Sequence, residues 1–96
     1  MCGGVQIHVT DRNVFEPYLT GIACIAAARF LHPGPFKWRD PPYEYEFVKR
    51  PIEILCGCRE IPDMIESGVS LDRVRRSWQN DVAAFKRMRE RYLLYE

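Results

Sequence analysis

The alternation of Val5, Ile7 and Val9 with Gln6, His8 and Thr10 constrains this chain more than any other feature. A period of two puts successive side chains on opposite faces of an extended backbone. The stretch Gly3 to Thr10 is therefore predicted to be a half-buried strand with one apolar and one polar face. Asp11, Arg12 and Asn13 end the alternation with turn-forming side chains, and apolar residues resume at helical spacing from Phe15. The expected unit is a strand, a polar corner and a helix.

That helix is expected to begin between Phe15 and Pro17, because proline lacks only a donor that the first turn leaves unpaired anyway. Tyr18, Leu19, Ile22, Ala26 and Phe30 supply its apolar side, while Gly21, Ala23, Ala27 and Ala28 admit a close neighbour. Pro33-Gly34-Pro35 stops it by Leu31 or His32. Phe36 to Pro42 mixes aromatics, charges and prolines without a period and is expected to be an ordered loop. Tyr43, Tyr45 and Phe47 then alternate with Glu44, Glu46 and Val48, which predicts a second short strand. Glu44 and Glu46 would share one face of it about 7 Å apart. Paired carboxylates can act as acid and base, although the solvated face of an edge strand accounts for them more simply.

Pro51 opens a short helical segment that the Cys56-Gly57-Cys58 corner ends, and Pro62 to Ser67 form another with Gly68 as its terminator. Ser70 is placed to cap the last helix. Leu71, Val74, Trp78, Val82, Phe85, Met88, Tyr92 and Tyr95 recur at steps of three or four, predicting one continuous helix with a single apolar stripe. The expected fold is α+β: one small domain of 96 residues, with a short β-sheet packed against a core helix and a long C-terminal amphipathic helix.

Several function classes fall away. The formal net charge is +1, and the basic residues of the last helix, such as Arg73, Arg87 and Arg91, are interleaved with Asp72, Asp81 and Glu90. A solvated face explains them better than a nucleic-acid surface does. The apolar run Gly21 to Ala28 is too short to span a bilayer, and no basic region with a cleavage site follows Met1. Neither nucleic acid nor membrane is expected as a partner. Cys2, Cys24, Cys56 and Cys58 lack paired metal-ligand spacing, so free structural thiols are expected, with no metal and no cofactor. No nucleophile elbow, phosphate loop, zinc-protease or dinucleotide motif is present in the sequence. His8 beside Asp11 admits an acid–base pair and a purely structural hydrogen-bonding role alike.

Three separated stretches, GGVQIHVTDRNVFEPYLTGIA, PYEYEFVKRPIEILCG and SWQNDVAAFKRMRERYLLYE, together resemble the C-terminal domain of the NamZ-like exo-β-N-acetylmuramidases, a bacterial family long catalogued as a domain of unknown function. The resemblance runs in order from Gly3 to Tyr95. It implies a parent protein with a Rossmann-like N-terminal domain ahead of this one and an active-site cleft at their interface. Such proteins, often exported to the cell envelope, release N-acetylmuramic acid from the non-reducing end of peptidoglycan fragments.

The family's candidate catalytic carboxylates belong to the N-terminal domain, so this chain is expected to be a fragment that does not hydrolyse a glycoside alone. The resemblance implies that it builds one wall of the cleft and meets a muramyl saccharide through His8, Thr10, Asp11 and Arg12. Arg12 is suited to a bidentate pair with a muramyl carboxylate. Tyr43, Glu44 and Tyr45 are second candidates, since aromatic faces and carboxylates suit a sugar site. An apolar patch including Phe36, Trp38 and Tyr92 to Tyr95 is expected at the domain interface, and self-association through it is the corollary. The alternative is an independent protein-interaction or carbohydrate-binding module, homodimeric through the final helix.

Overall fold

A computed structural model describes residues 3–95, and in it the chain is helical. The helices are α1 Pro17–Leu31, α2 Pro51–Cys56, α3 Glu60–Glu66, α4 Leu71–Ser77 and α5 Gln79–Arg89, followed by a short 3₁₀ turn, Glu90–Tyr92. Local chemistry sets most of the boundaries. Pro17 occupies the first turn of α1, and α2 begins on Pro51 with Gly57 behind it at φ 77°. After α3, the Gly68 N–H donates to the Ile65 carbonyl and the Val69 N–H to the Met64 carbonyl, with Gly68 at φ 71°. This paired closure needs a left-handed residue, which glycine supplies without a Cβ penalty. The Ser70 hydroxyl accepts from the Arg73 N–H at 3.3 Å and caps α4.

The expected α+β class is not what forms. Among the described residues no strand is present, and the one backbone bridge joins Tyr43 to Glu46. Residues 3–9 stay outside regular structure, because no second strand among the described residues takes up their backbone groups. The Tyr43 to Val48 alternation closes on itself in a tight turn: Tyr43 N–H to Glu46 carbonyl at 2.9 Å and the reverse at 3.0 Å, with Glu44 at φ 53°. The last helix is also two helices. It breaks at Trp78 (φ −106°, ψ −2°), whose indole packs edge-on against Tyr18 with ring centroids 5.1 Å apart.

The core lies where α1, α3 and α4 meet. Ile22, Ile61, Ile65 and Val74 are the buried apolar residues, and Ile25, Ala26, Trp38, Met64, Val69 and Trp78 pack partly buried around them. Burial of each aliphatic side chain contributes about 1.5–3 kcal/mol, so these residues hold the three helices together. The chain as a whole is open: its radius of gyration is 16.1 Å, whereas a compact domain of this length has about 12.5 Å. No helix among the described residues is long and apolar enough to cross a membrane.

Candidate functional site

The polar corner sits just ahead of α1. Asp11 Oδ1 accepts the Asn13 N–H at 2.9 Å, the local turn that its side chain favours. Glu16 then anchors the start of α1 to α4 through an ion pair with Arg75, Nε to Oε1 3.0 Å. The Glu16 carbonyl accepts both the N–H and the hydroxyl of Thr20, at 2.9 and 2.8 Å. His8, Thr10 and Asp11 line an open depression of about 320 Å³ together with Phe15 and Leu19. Arg12 is exposed at the corner and is not part of that lining.

Tyr43, Glu44 and Tyr45 are not brought into this depression. Glu44 and Tyr45 form the exposed tip of the tight turn, and Tyr43 is half-buried at its base. Glu44 and Glu46 do not share the face of a strand as expected. Glu44 sits at the tip, while Glu46 Oε1 accepts the Val48 and Lys49 N–H groups at 2.8 and 3.1 Å. Those two backbone donors, Val48 first, hold the Glu46 carboxyl below its usual pKa. Its role is to close the turn.

A charge cluster not expected from the sequence centres on Arg50. Arg50 reaches Glu53 at 3.3 Å, Asp63 at 3.6 Å and Glu66 at 3.3 Å, and the Trp38 indole N–H donates to Glu66. Glu53 also accepts the Arg50 N–H at 2.8 Å. That backbone donor, followed by the guanidinium, depresses the Glu53 pKa. The signal was available in Glu53, Asp63 and Glu66, which recur along α2 and α3, but only folding shows that one arginine serves all of them. Its carboxylates are already paired with Arg50, which suits fastening the Trp38 loop and α2 to α3 rather than proton transfer.

Tyr18, Cys56, Cys58, Trp78, Ser77 and Asp81 border a further hollow of about 560 Å³. The Tyr18 hydroxyl donates to the Cys56 carbonyl at 2.8 Å. Burial, then the neighbouring Cys56 and Cys58, push its pKa up to about 12. Burial likewise raises that of the Cys56 thiol, which keeps it in its unreactive form. Cys24, Cys56 and Cys58 are free thiols, and Cys2 lies outside the described residues. No group of three or more potential metal ligands converges among the described residues. Phe36 and Trp38, expected in an exposed patch, instead pack edge-on with centroids 5.0 Å apart, and Trp38 joins the core periphery. Tyr92 to Tyr95 are exposed, as expected.

A small helical module with a shallow polar corner is the class of protein that these features define. The chain matches the family described as "Exo-beta-N-acetylmuramidase NamZ, C-terminal" over residues 1–95, and it belongs to that family. It is 32% identical over 96 residues to the peptidoglycan β-N-acetylmuramidase NamZ of Bacillus subtilis (strain 168), an alignment covering 99% of this chain and 21% of that protein. The chain thus spans about a fifth of the length of the curated relative it matches. No solved structure matches it.

Proposed function

We propose that this chain serves as the accessory C-terminal domain of a peptidoglycan-processing exo-β-N-acetylmuramidase, forming one wall of the saccharide cleft against a Rossmann-like catalytic domain. The observation that carries this reading is the family match along residues 1–95. The polar corner supports it chemically. His8, Thr10 and Asp11 offer donors and acceptors in a depression that Phe15 and Leu19 also line, the mixture that binds a sugar's hydroxyls and its less polar ring face. Arg12, exposed beside them, supplies a fork for the lactyl carboxylate of muramic acid. Tyr43, Glu44 and Tyr45 are the second contribution to that wall.

The test is a full-length hybrid in which residues 1–95 replace the aligned fifth of the B. subtilis relative. Arg12→Ala in it is expected to raise KM for a muramyl disaccharide about tenfold, the loss of one charge-assisted contact. An unchanged KM removes the corner from the cleft.

One feature favours a second reading, a self-associating module: Val82, Phe85, Met88 and Tyr92 are exposed along one side of the final helical segments. Sedimentation of the 96-residue chain as a dimer at micromolar concentration would support it, and a monomer would dismiss it.

A further inference from the structure

Residues 4–10 have the composition of a strand without a sheet. Val5, Ile7 and Val9 are 80, 50 and 49% exposed. Among the described residues, no backbone hydrogen bond begins or ends between Gly3 and Thr10. The segment is unlike a solvated loop: from Val5 to Thr10 it contains no glycine, proline, asparagine or aspartate, and four of its six residues are β-branched. It also lacks the lysines and prolines by which proteins keep a free edge from pairing. The segment lies inside the family match, so it is part of the domain rather than an appended tail.

We propose that residues 4–10 add as a strand to the edge of a β-sheet in the part of a NamZ-type muramidase that this chain does not span. Within the chain, the other alternating stretch is closed on itself between Tyr43 and Glu46 and offers no edge of matching length. Outside it, the B. subtilis relative contains about four times as much polypeptide again. A second copy of the arm is the weaker occupant, because an isolated two-stranded pair is marginal in water, whereas an existing sheet supplies both a ladder and a face for Val5, Ile7 and Val9. The addition fixes the site as well. Thr10 would end the ladder, so Asp11 and Arg12 would emerge at the end of that sheet as a positioned corner.

This inference deepens the proposed function and rests on it for the presence of a larger catalytic part. The test is amide hydrogen exchange at single-residue resolution on three proteins: the 96-residue chain, the hybrid and the unmodified B. subtilis relative. Residues 5–9 are expected to exchange at free-chain rates in the chain alone and roughly a hundredfold or more slower in the hybrid, as should the aligned residues of the relative. Free-chain rates in the relative, or in a hybrid whose helices are protected, overturn the proposal; where the hybrid does not fold, the relative decides. Concentration-dependent protection of the chain alone, with a sedimenting dimer, also overturns it by making a second copy the occupant. Muramidase activity of the hybrid is read separately. A protected but inactive hybrid keeps the strand and removes the function, and an active, unprotected one does the reverse.

Discussion

The half of the molecule built from α1, α3 and α4 and the half built from the N-terminal arm and α5 use the same kinds of side chain to opposite effect. In the first, Ile22, Ile61, Ile65 and Val74 close on one another. In the second, Val5, Val14, Phe85 and Tyr92 are 80, 74, 55 and 71% exposed. Sequence pattern is no poorer in the second half; what differs is whether other described residues cover the apolar side chains. The first half closes a core, and the second leaves its apolar side chains exposed.

Substitutions can break that contrast. Ile65→Ala should have the largest effect, about 2–5 kcal/mol lost in urea unfolding, because its cavity opens in a core of few members. A loss below 1 kcal/mol would mean that α1, α3 and α4 are not the stable half. Gly68→Ala comes next, at about 1–2 kcal/mol, since φ 71° places a Cβ in the left-handed region while nothing nearby obstructs it. Melting temperature is the readout, and an unchanged value would argue that α3 does not end in this closure.

Tyr18→Phe removes one hydrogen bond to the Cys56 carbonyl and should cost about 1 kcal/mol. It also has a pH signature. The hydroxyl's pKa is raised from 10.0 to about 12 in the folded chain, so its contribution is complete below pH 10 and lost as pH rises toward 12. The variant should flatten the alkaline limb of stability against pH, and an unaltered limb would place the titration elsewhere. Phe85→Ser is the smallest: a change within about 0.5 kcal/mol in the 96-residue chain, as expected at an exposed position. A loss of several kcal/mol would show that α5 is already covered in solution and erase the distinction between the halves.

The sequence made the local decisions legible. Pro17, Gly57, Gly68 and Ser70 each mark a boundary through chemistry confined to a few neighbouring residues, and each boundary appears where that chemistry puts it. Pairing was not legible. Period-two alternation says what Val5 to Thr10 can do, but a sheet needs a second strand, and none forms among the described residues. The final helix misled for a different reason. Val74, Trp78 and Val82 keep steps of four across the break, so periodicity runs through the point where α4 ends and Trp78 packs on Tyr18. At the candidate site, His8, Thr10 and Asp11 line one depression because they are neighbours in sequence, and Arg12 lies outside that lining. Glu44 and Glu46 do not share a strand face, because a two-residue turn replaces the flat strand that would have aligned them.

The way Glu16 is held has a mechanical consequence. Ile22, the buried residue of α1, lies five residues beyond Pro17, a lever of about 7.5 Å at 1.5 Å per residue. A tilt of about ten degrees around that fulcrum would displace the start of α1 by about 1.3 Å and carry the corner ahead of it along. The Arg75 to Glu16 ion pair ties down the free end of that lever. It acts as a brace, making the placement of a surface loop depend on an arginine 59 residues along the chain from Glu16.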